Sequence, residues 1–278
     1  MTTHAGSAGV AASIPPLRRV AIVHEPPPAL EQGERSFVDR DPIDMTRARE
    51  QHAAYVALLR DVGCEVVTLN VNAHHADGVF VEDTALVFDE LAVLASPGAP
   101  SRRGEVAGIA AELRRHRDVV AAIELPATLD GGDVFVAGRV VCVGRSARTN
   151  AEGAAALARI LAPYGYVVRT VGLRDCLHLK SACCPLPDGR LLVNPHWAEL
   201  RDLRGFDIVE IADGEPFAAD VLVVGRTVVS MAAHPRTAAL IGALGFDSRT
   251  LDLDEFAKAE GGVTCMSLVF LARGGAGR

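Results

Sequence analysis

The stretch Val134-Phe135-Val136-Ala137-Gly138-Arg139-Val140-Val141-Cys142-Val143, with the segment after it as far as Val171, decides the fold. Two short apolar runs, Val134–Ala137 and Val140–Val143, flank Gly138-Arg139 and read as a hairpin. Thr149-Asn150-Ala151-Glu152 then has the form of a capping box. The helix it opens puts Leu157, Ile160 and Leu161 on one face and stops at Gly165. Tyr166–Val171 reads as a further strand. The unit is strand, strand, helix, strand.

The same order recurs on both sides. Upstream, Val79–Phe88 and Leu91–Ala95 predict two strands around Asp89-Glu90. Ser101 is placed to cap a helix with Val106, Ile109, Ala110 and Leu113 on one face, and Val119–Leu125 predicts the closing strand. Earlier still, Arg19–His24 predicts a strand, and Glu25–Arg40, rich in proline, glycine and charge, a long lid-like loop. Asp44 caps a helix whose face is Met45, Ala48, Tyr55, Leu59 and Val62; Gly63 ends it and Glu65–Leu69 follows as a strand.

Downstream, His178–Pro185 and Arg190–Val193 flank the turn Asp188-Gly189. Asn194-Pro195 is expected to start a short helix with Trp197 and Leu200, and Ile208–Ile211 to form a strand. Val221–Val224 and Thr227–Ser230 flank Gly225-Arg226, Pro235 opens a helix running to Leu244, and Arg249–Leu253 is a strand. A period of about forty to fifty residues is that of a repeat architecture. The first unit lacks one hairpin strand, and the apolar run Val263–Phe270 is left over at the other end. Pairing the two closes a ring of five units and removes sheet edges. The expected architecture is one α/β domain over 17–278 after a frayed, Ala/Gly/Ser/Thr-rich tail over 1–16.

Composition narrows the function. The 278 residues carry a formal charge of -7, which disfavours nucleic acid and mildly favours a cationic partner. No apolar run is long enough to span a bilayer. Six cysteines with an adjacent Cys183-Cys184 pair and no C-x-x-C make a poor disulfide framework and a poor zinc site. A reducing cytoplasm is the simplest compartment, and neither metal nor cofactor is expected. No GxGxxG or Walker loop appears.

Polar residues collect at equivalent places in the units: Asp77, Glu82 and Asp83, then Asp130 and Asp133, then His178, with His196 after the fourth hairpin. The last unit brings Cys265 after Gly261-Gly262, a pair that suits a tight turn or a close approach. Buried cysteines are usually inert filler. Asp130 and Asp133 have a plain alternative as turn residues, and His178 as a satisfied core histidine. His74, His75 and His234 read as exposed loop residues. Glu82-Asp83 is harder to dismiss. On a strand one of the pair must point inward, where a carboxylate needs a partner. Arg102 and Arg148 lie near helix N-termini, where a cation opposes the dipole by roughly 0.3–1 kcal/mol. Carboxylates near a thiol suit a flat cation and the arginines suit a carboxylate, so an arginine-like amino acid fits both ends.

FVEDTALV, LDGGDV followed by VGRSARTN, LHLKSACC and GGVTCMS occur in that order. With them the chain resembles the dimethylarginine dimethylaminohydrolases of the guanidino-group-modifying superfamily, along nearly its whole length. The resemblance implies a five-bladed α/β propeller of ββαβ units, the pentein fold, here closed by the C-terminal strand. It implies hydrolysis of methylated arginine to citrulline and dimethylamine or methylamine through a covalent thiouronium. Cys265 is then the nucleophile, His178 the acid and base, and Asp130 the group that orients it and touches the substrate guanidinium. Asp77, Glu82 and Asp83 take the guanidinium, and Arg102 and Arg148 the α-carboxylate. Leu30 occupies the lid position, with His24 where an arginine is expected, and the backbone of Ala259 approaches the amino-acid end. A monomer or homodimer is expected. Lys180 stands where arginine deiminases carry an aspartate, which favours a methylated substrate. An arginine deiminase or amidinotransferase, a Cys-His-Asp protease and a non-catalytic methylarginine binder are the alternatives.

Overall fold

The computed structural model describes residues 17–273, which places the expected 1–16 tail outside the described residues. The chain runs through β1 (Leu17–His24), α1 (Met45–Asp61) and β2 (Cys64–Leu69). A second unit follows: β3 (Ala85–Val87), β4 (Ala92–Leu94), α2 (Glu105–Leu113) and β5 (Val120–Ala122). The third is β6 (Val134–Ala137), β7 (Val140–Arg145), α3 (Ala151–Leu161) and β8 (Val167–Gly172). The short α4 (Leu179–Ala182) leads into β9 (Cys183–Pro185), β10 (Leu191–Val193) and β11 (Ile208–Glu210). The last unit is β12 (Leu222–Val224), β13 (Thr227–Met231), α5 (Pro235–Ala243) and β14 (Asp247–Leu251), after which come α6 (Asp254–Ala257) and β15 (Ser267–Arg273).

These strands form five separate three-stranded sheets, none closed on itself. Four have the pattern of the third unit, where β6 is antiparallel to β7 and β7 parallel to β8. The fifth joins the chain ends: β15 pairs antiparallel with β1, Ile22 facing Leu268, while β1 pairs parallel with β2. The leftover C-terminal strand therefore supplies the hairpin strand missing from the first unit, as expected. One cavity touches a strand of every sheet, through Leu86, Phe135, Cys184, Leu222 and Leu268.

Local chemistry explains the helices. The Asp44 carboxylate accepts from the N–H groups of Thr46 and Arg47 and starts α1; Gly63, at φ +88°, ends it. The cap of α3 is Asn150, which accepts from Gly153, rather than Thr149. Thr149 is diverted: its hydroxyl takes the N–H of Asp130. The apolar face of α3 buries Leu157 and Leu161 with Val141 and Val143, each buried side chain stabilising by about 1.5–3 kcal/mol.

Several expectations are corrected. Val81–Thr84 is a 3-10 turn, so only Ala85–Val87 of the predicted Val79–Phe88 strand is extended. Ser101 caps nothing; Pro100–Arg102 is a separate 3-10 turn, and Gly104 precedes α2. Asn194-Pro195 opens a turn rather than a helix, leaving the fourth unit with a 3-10 turn at Leu200–Leu203 where the others have α-helices. The C-terminal strand starts at Ser267, which leaves Cys265 in a turn. Two of these differences fall where a side chain bonds locally: the Thr84 hydroxyl donates to the Val81 carbonyl, and Asn194 Oδ1 accepts the N–H of His196.

Candidate active site

The turn that carries Cys265 is fastened from several elements. Tyr55 of α1 donates to the carbonyl of Val263 at 2.8 Å and lies 2.6 Å from the hydroxyl of Ser267. The N–H of Glu82 donates to the carbonyl of Cys265 at 3.1 Å, and that of Thr264 to Asp220 Oδ1 at 3.2 Å. The N–H of Gly262 points at Cys265 Sγ, 3.3 Å away. The paired glycines are required by close approach. A Cβ on Gly261 would meet the Phe80 ring at 2.2 Å, and one on Gly262 would meet Asp220 Oδ2 at 1.9 Å. Cys265 is half-buried; the other five cysteines are buried.

His178 immediately precedes α4, in an extended conformation. Asp133 holds that start: Oδ1 accepts the N–H of Leu179 at 3.0 Å and Oδ2 the hydroxyl of Ser146 at 2.5 Å. Burial pushes its carboxyl up to about 6. The His178 ring lies between two carboxylates, with Nε2 3.1 Å from Asp130 Oδ2 and Nδ1 3.8 Å from Asp83 Oδ1. Burial opposes its charged form, but Asp83, Asp130 and Asp133 outweigh that and raise it to about 9. His178 is therefore an imidazolium at neutral pH. Asp83, Asp130 and His178 have the spacing of a metal cluster. A protonated ring offers a cation no lone pair, so with Nε2 bonded to Asp130 and Asp83 beside Nδ1 the trio fits a proton better than a metal. A Cβ on Gly132 would strike His178 Nδ1 at 2.5 Å, so the second glycine of Gly131-Gly132-Asp133 makes room for the ring.

Both acids of the Glu82-Asp83 pair are buried, because they sit on the 3-10 turn rather than an alternating strand. Asp83 faces the ring and Arg102, whose Nη1 lies 2.5 Å from Asp83 Oδ2. Burial works to raise the Asp83 carboxyl, but the two cations hold it down at about 2. Glu82 turns the other way and bonds Lys180 Nζ at 2.6 Å. Breaking one side of a buried pair strands the other charge. Lys180→Met is therefore expected to destabilise the protein by about 3–5 kcal/mol at neutral pH, read by urea denaturation. Adding Glu82→Gln is expected to recover most of that loss.

Arg102 departs from expectation. Its guanidinium is buried, and bonds to Asp83, Glu105 and the Phe80 carbonyl leave a single N–H of Nη1 uncommitted among the described residues. The Arg102-x-x-Glu105 spacing, an i,i+3 pair, was the signal in the sequence. Arg148 is the freer cation, 3.9 Å from Asp130 Oδ2. Asp130 also accepts the N–H of Gly98 at 2.8 Å.

A small pocket is lined by Asp77, Asp83, Arg102, Arg148, His178, Ala259 and Cys265, with Glu34, Phe80, Leu177, Glu260 and Gly261. Seven predicted residues thus meet in one place, and Asp130 supports the histidine from behind. Two do not line it. The Glu82 carboxylate faces the cavity shared by the five sheets. Leu30 is fully buried in the core cluster containing Tyr55 and Phe256, because its loop forms a 3-10 turn at Leu30–Gln32 that folds it inward. The lid-like loop is represented at the pocket by Glu34, whose N–H donates to Asp77 Oδ2 at 3.1 Å. Glu260 accepts the N–H groups of Ser36 and Phe37, each at 2.7 Å, and so ties this loop beside the cysteine turn. His196 is exposed, whereas His24 and His234 are buried, against expectation for His234.

A family profile described as "N,N dimethylarginine dimethylhydrolase, eukaryotic" matches residues 32–178. The N(G),N(G)-dimethylarginine dimethylaminohydrolase of Pseudomonas aeruginosa is 37% identical over 82% of this chain and 90% of its own length. That of Streptomyces coelicolor is 38% identical over 89% and 95%. The chain belongs to the dimethylarginine dimethylaminohydrolase family. The structure agrees with that of the P. aeruginosa enzyme, a cysteine-to-serine mutant complexed with citrulline, at a TM-score of 0.84 and 35% identity, covering 90% and 98% of the two chains. The N-terminal domain of the cyanobacterial arginine dihydrolase ArgZ, at 20% identity and TM-score 0.80, shares the fold.

Within this dimethylarginine dimethylaminohydrolase family member, sequence reasoning missed Glu260 and Asp220. Glu260 had a faint signal, an acid just before two glycines. Asp220 had none of its own. Its importance comes from lying under Gly262, more than forty residues away in sequence.

Proposed function

We propose that this family member hydrolyses Nω-methylated arginines to citrulline and dimethylamine or methylamine. The observation that carries this is the meeting of Cys265, His178, Asp77, Asp83, Arg102 and Arg148 around one pocket. The guanidinium of the substrate lies against Asp83 and Asp77, with its central carbon toward Cys265. Its α-carboxylate turns to Arg148 and the remaining N–H of Arg102, and its amino group to the backbone around Ala259.

The resting thiol is held well above its ordinary pKa by burial, and then by Asp220, Glu82 and Asp83. An arriving cation offsets that field, so with substrate bound the thiol loses its proton to water. The thiolate adds to the guanidinium carbon. The His178 imidazolium gives its proton to the departing amine, the C–N bond breaks, and a thiouronium remains on Cys265. Now neutral, His178 takes a proton from water, whose oxygen attacks the same carbon. The C–S bond then breaks, citrulline leaves, and the thiol and imidazolium are restored. Asp130 keeps the ring oriented.

The methyl groups decide the substrate. Lys180, two positions after His178, turns to Glu82 and away from the substrate pocket, so no second carboxylate stands there for the additional N–H groups of unmethylated arginine. Purified protein is expected to release citrulline from asymmetric dimethylarginine at least about tenfold faster, by kcat/KM, than from arginine. Faster turnover of arginine would reassign it as a deiminase.

For the architecture, we infer that the five sheets stand as propeller blades around one axis, the cavity touching a strand of each sheet being the support. Residues 17–278 then act as one catalytic domain. Six free cysteines, one of them the nucleophile, suit a reducing cytoplasm.

A further inference from the structure

Asp220 is a buried acid that adds to the field on the resting thiol but takes no part in the bond-making steps above. It lies just before β12, under the turn that carries Cys265. Oδ1 takes the N–H of Thr264, and Oδ2 packs so closely on Gly262 that a Cβ there would overlap it. The same Gly262 points its N–H at the sulfur. Asp220 is thus one short turn away from Sγ and does not line the substrate pocket.

Its surroundings set it apart from the other acids near the thiol. Asp83 is matched by Arg102 and His178, and Glu82 by Lys180. Among the described residues Asp220 makes no ion pair within 4.0 Å. Glu82 and Lys180 act on it with opposite signs, and Cys184 and Tyr55 pack nearby as further titratable groups. Asp220 also opens on a second pocket, lined by Phe217, Met231 and His234 and sharing Leu177, Glu260 and Gly261 with the first. Glu260 and His234 are the titratable groups facing it there.

From this placement we infer that Asp220 is a positioning residue that governs the ionisation of Cys265 from behind the catalytic turn, keeping the sulfur a thiol until a cationic substrate arrives. The inference rests on Cys265 being the nucleophile. It makes the resting enzyme resistant to electrophiles that carry no positive charge. The second pocket lets Asp220 exchange its proton with solvent while substrate fills the first.

Burial, and after it Glu82, raises the Asp220 carboxyl to about 7. It is therefore neutral below that pH and charged above it, and the thiol becomes harder to ionise as pH rises through that point. The test is the rate of Cys265 alkylation by iodoacetamide between pH 5 and 10 (assay settings, roughly bracketing the ionisation), followed by peptide mass. The half-buried Cys265 reacts ahead of the buried cysteines. In the wild type the logarithm of the rate is expected to rise, flatten near pH 7, and rise again. Asp220→Asn keeps an acceptor for Thr264 and removes the charge. It is expected to abolish the plateau and to speed alkylation at neutral pH by about three- to tenfold. An unchanged profile in an Asp220→Asn protein that melts like wild type overturns the inference. Should that variant fail to fold, a wild-type profile with no plateau overturns it equally. Alkylation does not depend on turnover, so a protein releasing no citrulline refutes the functional reading separately.

Discussion

Cys265→Ser is expected to lower citrulline release from dimethylarginine by at least about 10⁴-fold while leaving substrate binding measurable by calorimetry. The reason is chemical rather than structural. Serine keeps an acceptor for the N–H of Gly262, and the turn remains tied by Tyr55, Glu82 and Asp220. What is lost is a nucleophile that a nearby cation can ionise. An alcohol lies too far above neutral pH for that, and no base beside it is free: His178 already carries its proton. Substantial citrulline from the serine variant would place the nucleophile elsewhere. A protein that only bound methylated arginine would show no turnover even in the wild type.

The second large effect is at His178. His178→Asn is expected to reduce kcat by about 10²–10⁴-fold, the usual worth of a positioned acid and base. The pH dependence identifies the cause. The imidazole is raised from 6.5 to about 9, so the acid form is present through the neutral range and disappears as pH rises through about 9. The wild-type kcat/KM is expected to fall along that limb, and the residual activity of the asparagine variant to lack it. The same shift stabilises the fold fully below 6.5, a contribution lost as pH rises through about 9. A wild-type limb centred near the unperturbed value of about 6.5 would mean that Asp83 and Asp130 do not hold the proton there.

The repeat was legible because hairpin, helix and strand patterns depend on neighbours a few residues apart. Asp44, Gly63 and Pro235 mark helix ends through their own backbone chemistry. Cys265 and His178 could be picked out as candidates because FVEDTALV, LDGGDV, LHLKSACC and GGVTCMS stand in the order of the family that the chain resembles. Where reading failed, a side chain had two local choices and distant partners selected one. Thr149 would cap α3, but the N–H of Asp130 claims its hydroxyl. Glu82-Asp83 would alternate on a strand, but Lys180 and Arg102 draw both acids inward from a 3-10 turn.

By itself the sequence determined the order and number of units, the pairing of the two chain ends, and which residue types were available for chemistry. Those properties follow from periodicity and from backbone preferences that each segment carries alone. Only the tertiary structure decided how the charges are shared. It assigned Arg102 to Asp83 and Glu105, left Arg148 comparatively free, buried Leu30, and set Asp220 beneath the cysteine turn. Charge–charge energies depend on distance and burial, and no spacing along the chain encodes either one across forty residues or more.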